Sequence, residues 1–279
     1  MPTIAEKRAT FRRLHQTGCF VIPNPWDIGT TRYLQHLGFK ALATTSAGYA
    51  FAQGVADAAI SRDAMLAHIA EIVAATDLPV NADFEGGYAH EPAGVAESVR
   101  LCVATGVAGL SVEDSTGDKG KPLYDLDLAV ARIKASRAAI DAAGGDVLLT
   151  GRAECFLVGR PDLDETIRRL EAYSSAGADC LYAPGIRTRE QIAAVVKAAA
   201  GKPVNVLMPG ALGLSVADLA ALGARRISVG GTLARVAWGA FIRAAKQIAS
   251  EGRFDTFADA VPHAELNGFL RDDMKTRTP

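Results

Sequence analysis

The stretch 79–89, PVNADFEGGYA, sets Asn81, Asp83 and Glu85 at alternate positions between Val80, Ala82 and Phe84. In an extended chain those three polar side chains leave from one face. Two carboxylates aimed at one place repel each other and are costly to desolvate, so a cation is expected beside them. Other apolar runs end in the same way. Glu113 and Asp114 close 109–115, Arg152 and Glu154 close 147–154, Asn205 lies in 203–208, and Ser46, Ala47 and Gly48 turn the chain at the end of 41–47. Asp83, Glu85 and Glu113 offer the hard oxygen that Mg²⁺ or Mn²⁺ takes while keeping waters and open positions. Arg152 supplies a two-pronged donor for a carboxylate, and Ser46 with the amides of Ala47 and Gly48 can form an anion nest. Such a set suits a small oxo- or hydroxy-carboxylate whose enolate an ion stabilises.

Taken singly, each feature has a plainer reading. An acid that closes a strand is more often a helix cap or half of an ion pair. Arg152 with Glu154 reads equally as a structural pair, and Cys155, with no histidine in its segment, as a buried thiol. The joint placement carries the argument, and it depends on the elements that hold these residues.

Eight β-like runs recur, at 19–24, 41–47, 79–85, 109–115, 147–154, 180–185, 203–208 and 226–231. Between them, stretches such as 61–76, 95–105, 128–143, 163–176, 189–199 and 216–222 carry a 3.6-residue apolar period. Strict alternation over eight repeats predicts an α/β fold, a (β/α)8 TIM barrel, in preference to an open sheet. The GxGxxG turn of an open dinucleotide-binding sheet is absent. In such barrels the chemistry sits at the C-terminal strand ends, where the polar residues above collect. The chain reads as one domain, a barrel with an N-terminal helix over 1–231 and a helical extension over 232–279. That extension carries Trp238, Phe241, Phe254, Phe257 and Phe269, so it is expected to pack on, or exchange with, a second subunit.

Composition narrows the partners. With 30 Lys and Arg against 31 Asp and Glu, no basic footprint suits nucleic acid or a membrane surface. Apolar runs are too short for a membrane span, and the charged start is no secretory signal. The four cysteines show no paired spacing and the five histidines no zinc pattern. A cytoplasmic protein is expected.

The sequence resembles the isocitrate lyase/phosphoenolpyruvate mutase superfamily over nearly the whole barrel. NPWDIGTTRYLQHLGFKALATTSAGYA is similar to its opening and carboxylate loop, VNADFEGGY to its metal strand, VEDS to its strand-four Glu-Asp, GRAE to its Arg–x–Asp, and PVNVL to its strand-seven Asn. The resemblance implies a barrel, Mg²⁺, a homo-oligomer (dimer or tetramer), and cleavage or formation of C–C or P–C bonds beside a carboxylate. By position, Ser46, Ala47 and Gly48 would hold the substrate carboxylate, with Asp57 and Asn205 nearby. Asp83 and Glu113 would surround the metal, and Arg152 would clamp the substrate. Two departures stand out. Asn81 occupies the place of a first metal-strand Asp, with Glu85 on the same face. The gating loop reads EDSTGDKGKPLYD, without the Lys–x–Cys–Gly–His of isocitrate and methylisocitrate lyases, so Lys119 and Lys121 are its candidate proton carriers. Its glycines read as a mobile lid. The expectation is a Mg-dependent lyase or hydrolase acting on a small 2-oxo or 2-hydroxy carboxylate through an enolate. The alternatives are a non-catalytic carboxylate-binding member, or a methylisocitrate/dimethylmalate-type lyase with another proton donor.

Overall fold

In the computed structural model, which describes residues 2–277, eight short parallel strands alternate with helices. They are β1 (Phe20–Ile22), β2 (Leu42–Ala43), β3 (Val80–Asp83), β4 (Gly109–Glu113), β5 (Leu148–Arg152), β6 (Cys180–Tyr182), β7 (Val204–Leu207) and β8 (Arg226–Ser228). The sheet runs β1-β8-β7-β6-β5-β4-β3-β2. Between β1 and β2 the Ala43 N–H donates to the Pro23 carbonyl at 3.0 Å and Asn24 Nδ2 to the Thr44 carbonyl at 2.9 Å, which joins the two ends. The fold is a (β/α)8 barrel.

Helices α1 (Ile4–Gln16), α2 (Ile28–His36), α3 (Ser46–Ala52), α4 (Arg62–Ala75), α5 (Pro92–Ala104), α6 (Leu126–Ala142), α7 (Leu163–Ser175), α8 (Arg189–Ala198) and α9 (Val216–Ala221) connect the strands. Their starts are written in side chains that bond first-turn amides: Thr3 with Glu6, Asp27 with Thr30, Thr188 with Gln191 and Ser215 with Asp218 close capping boxes. Along β4 the side chains alternate as in any strand. Leu110 and Val112 join the apolar layer under the helices, while Ser111 and Glu113 turn inward. Gly109 is required by close approach: a Cβ there would stand 2.6 Å from Phe11 and 2.8 Å from Asn81 Oδ1. Phe11, from α1, closes the floor of the barrel with Ile22, Ala41, Ala43, Ala108 and Leu148.

A polar cluster fills the interior. Arg226 donates to Asn205 Oδ1 (2.9 Å), Asn81 Oδ1 (3.3 Å) and Thr150 Oγ1 (3.1 Å), and its Nη1 lies 3.5 Å from His15 Nε2. Neighbouring register positions run Glu113, Arg152, Tyr182, Asn205 and Arg226 across five strands. Because barrel strands tilt, such a row descends from the mouth into the interior.

Contacts within the chain divide it into two compact units, Met1–Thr232 and Leu233–Pro279. The second holds α10 (Thr232–Glu251), a 3-10 turn (Asp255–Asp259) and α11 (His263–Arg277). Val236, Trp238, Phe241, Phe254 and Phe257 on these elements are exposed. Among the described residues no helix is long and apolar enough to cross a membrane.

Candidate active site

Asp83 ends β3, Glu113 ends β4 and Arg152 ends β5, so the strands deliver three charged groups to one rim. Arg152 is the hub. Its Nη1 lies 3.2 Å from Asp83 Oδ1 and 3.1 Å from Glu113 Oε2, and its Nε donates to Glu154 Oε1 at 2.5 Å. The guanidinium carbon stands 5.2 Å from the centre of the Tyr182 ring. Burial works against the charge on Arg152, but Glu113, Glu154 and Asp83 outweigh it and hold the group firmly protonated. No hydrogen bond from Nη2 is found among the described residues, which leaves that donor for a ligand.

Asp83 also reaches the loop after β2. Its Oδ2 accepts from the Ser46 N–H at 2.9 Å and from the Ser46 hydroxyl at 3.0 Å. The segment expected as a turn is the first turn of α3, capped by Thr45, whose hydroxyl accepts from the Gly48 N–H. Of the expected nest, Ser46 therefore faces Asp83 and Gly48 faces Thr45.

Past Asp83 the chain bends sharply, with φ of +46° at Glu85, +72° at Gly87 and +55° at Tyr88. Each non-glycine in that region costs about 1–2 kcal/mol, strain that the surroundings must offset. Glu85 accepts a hydrogen bond from the Tyr88 hydroxyl at 3.0 Å. Burial, and then the charge of Asp83, push the Glu85 carboxyl up to about 7. Burial likewise raises Glu113 well above the usual carboxylate range, with Arg152 only partly countering it. Asp57, on the loop after α3, is raised by desolvation first and by Asp83 second. A cavity of about 270 Å³ opens beside Glu85 and Glu113, walled by Tyr88, His90 and Tyr124.

The other expected site residues lie elsewhere. Asn205 is buried in the interior, accepting from Arg226 and donating to Ser228 Oγ at 2.9 Å. Asn81 stands one layer below Asp83 in the same network. Asp114 faces away from the mouth, bonded to the Glu154 N–H, Arg169 Nη1 and the Tyr173 hydroxyl. Residues 114–124, read as a mobile lid, form an antiparallel hairpin with Ser115 paired to Leu123 and the Thr116 N–H on the Pro122 carbonyl. Lys119 and Lys121 are exposed on it, and Lys121 pairs with Asp125 at 2.5 Å. The structure does not bring these lysines to the Arg152 cluster. Tyr88 and Tyr182 escaped the sequence reading. Tyr182 was findable, since it is the register partner of Arg152 in the run 180–185.

Asp57, Asp83, Glu85, Glu113 and Glu154 gather around one arginine, and that surplus of negative oxygen is what a hard divalent cation would balance. Asp83, Glu85 and Glu113 do not close a cage, however: Glu85 is drawn to Tyr88, and among the described residues no three acidic, imidazole or thiol groups surround a common point. The donors fit Mg²⁺, which binds through one or two carboxylates and keeps its waters.

The family model described as phosphoenolpyruvate phosphomutase matches residues 11–249. The crystal structure of a candidate lyase/mutase from Burkholderia cenocepacia J2315 superposes with a TM-score of 0.93 at 52% identity, over 96% of this chain and 97% of that chain. An uncharacterized protein of Mycobacterium tuberculosis is 33% identical over 267 residues, which cover 94% of this chain and 96% of that protein. An oxaloacetate decarboxylase of Paraburkholderia xenovorans is 27% identical over 230 residues, 80% of this chain and 74% of that enzyme. Arg152 at the centre of Asp83, Glu113 and Glu154, on a barrel matched over most of its length, places the chain in the phosphoenolpyruvate phosphomutase family of the isocitrate lyase/PEP mutase superfamily.

Proposed function

We propose that this chain is a metal-assisted enzyme that breaks a C–C or P–C bond next to the carboxylate of a small 2-oxo or 2-hydroxy acid, with 2-oxo-acid decarboxylation the favoured reaction. The observation that carries it is the Arg152 hub, which holds a fixed cation between three carboxylates at the mouth with one donor unspent. Arg152 Nη2 binds one substrate carboxylate. Asp83 and Glu113, with Glu85 beside them, would hold Mg²⁺ or Mn²⁺, which supplies a positive charge for the enolate oxygen.

In the decarboxylation, the bond from C3 to the departing carboxylate breaks. Its electron pair becomes the C2–C3 enolate, CO₂ leaves uncharged, and a proton returns to C3. No proton donor is needed at the moment of bond breaking, which suits a chain without the lyase cysteine. The Tyr88 hydroxyl, which donates to Glu85 and lines the cavity beside Glu113, is the group placed to return that proton. Similarity to the Paraburkholderia oxaloacetate decarboxylase supports the same choice.

The test is initial rates on oxaloacetate, phosphonopyruvate, dimethylmalate, methylisocitrate and isocitrate with Mg²⁺. We expect one of the first three to be the best substrate. Isocitrate cleaved as fast as the best of them would refute the inference from the missing cysteine.

A further inference from the structure

Arg132, on α6, is 1% exposed, yet it forms no salt bridge among the described residues. Both of its Nη groups donate to backbone, while the buried Nε has no hydrogen-bond partner among the described residues. Nη1 donates to the carbonyls of Ala89 (2.5 Å) and His90 (2.6 Å), and Nη2 to the carbonyl of Gly86. Those carbonyls belong to the bend that starts at Glu85 and carries the left-handed residues Glu85, Gly87 and Tyr88. Gly86 is pressed against the guanidinium, where a Cβ would stand 3.3 Å from Nη2. One planar fork thus gathers three carbonyls of a loop that carries left-handed backbone at Glu85, Gly87 and Tyr88.

The other face of Arg132 meets the hairpin. Its guanidinium carbon lies 4.1 Å from the centre of the Tyr124 ring, and the Tyr124 hydroxyl lies 2.6 Å from His90 Nδ1. Tyr124 forms the hairpin base, its N–H on the Asp114 carbonyl. The loop after β3 and the hairpin after β4 therefore share one buried cation, and between them lies the cavity beside Glu85 and Glu113.

We infer that Arg132 is a positioning residue that clamps the 86–90 loop to the 114–124 hairpin and so fixes Glu85 and Tyr88 at the mouth. The catalytic part of this inference rests on the function proposed above; the clamp itself does not. Ser46, Asp83 and Arg152 hold their places through contacts that do not involve Arg132. Loss of the clamp should therefore spare binding of the substrate carboxylate and impair the step that needs Glu85 and Tyr88. Lysine is a poor substitute, because one ammonium has neither the planar face for Tyr124 nor the fork for three carbonyls.

The test compares wild type with Arg132→Met, Arg132→Lys and the milder Tyr124→Phe, each first shown to be folded by circular dichroism. With oxaloacetate and Mg²⁺, both Arg132 variants should lose roughly 100-fold in kcat with KM changed less than about threefold. Tyr124→Phe keeps the ring stack and should lose less than about tenfold. Amide exchange should quicken at 86–90 and 114–124 together in the Arg132 variants, while strand amides of the barrel keep their protection. Full activity in Arg132→Lys, or a loss confined to KM, would overturn the positioning role. Unchanged exchange at 86–90 in Arg132→Met would overturn the clamp. If wild type turned over none of the acids, the proposed function would fall, and the exchange measurement would still decide the clamp.

Discussion

Replacing Glu85 by glutamine should stabilise the metal-free protein at alkaline pH and leave it unchanged in acid. The glutamine oxygen can still accept from Tyr88, so the substitution removes a charge and little else. Burial and Asp83 raise this carboxyl from 4.5 to about 7. A raised carboxyl means the folded state keeps its proton longer than the unfolded chain. The stability it contributes is complete below pH 4.5 and is lost as pH rises to about 7. That difference corresponds to about 3 kcal/mol, and solvent screening at a partly open rim brings it to roughly 1–3 kcal/mol. Urea unfolding of both proteins at pH 4, 6 and 8 reads it directly. The glutamine variant should be the more stable by that margin at pH 8, less so at pH 6, and equal at pH 4. Saturating Mg²⁺ should shrink the gap, because a bound cation relieves the ionised wild-type residue. Equal stability at pH 8, or a gap that persists at pH 4, would show that Glu85 carries no strained charge.

Asp83→Ala should remove Mg²⁺ binding by calorimetry and lower kcat by roughly 100-fold or more, since Asp83 links Ser46 to Arg152. His15 is kept neutral by burial and then by Arg226, its pKa lowered to about 3, so stability should fall as pH drops from 6.5 towards 3. His15→Gln should flatten that acid limb in unfolding titrations, and an unchanged limb would assign it to other groups. Lys119→Met and Lys121→Met should each keep kcat within about threefold, given their exposed places on the hairpin; a much larger loss would mean that the hairpin closes over the mouth. The exposed Trp238, Phe241, Phe254 and Phe257 predict a homo-oligomer, which light scattering at micromolar concentration should detect and a monodisperse monomer would refute.

The strands and most helices were legible because their signals are local. Periods of 2 and 3.6 mark the elements. Asp83, Glu113 and Arg152 could be placed at one rim because each ends a strand of a fold whose strand ends meet. Asn205 could not. Its alternation predicts an inward side chain, but the depth of that side chain depends on strand tilt, a property of the closed ring and not of the run 203–208. Asn81, which the resemblance puts in the place of a metal-strand Asp, lies a layer below Asp83 and accepts from Arg226. Glu85 was assigned by alternation to the face of Asp83, but positive φ at Glu85 ends the strand geometry on which alternation relies. The hairpin escaped because GDKGKP is polar and glycine-rich, whereas its order comes from backbone bonds such as Thr116 to Pro122. Arg132 lies on a helix more than 40 residues from the loop it holds, a contact with no trace in local pattern.

In the proposed function a bond beside a carboxylate is broken at the Arg152 hub. Carbon and phosphorus NMR of oxaloacetate, phosphonopyruvate and dimethylmalate, each incubated with Mg²⁺ and either wild type or Arg152→Ala, tests it most directly. For at least one acid, wild type should convert the starting signals into those of the cleaved products, and Arg152→Ala should leave them at the uncatalysed rate. Saturable binding of all three to wild type with every bond intact would contradict that function and leave a carboxylate-binding protein in its place.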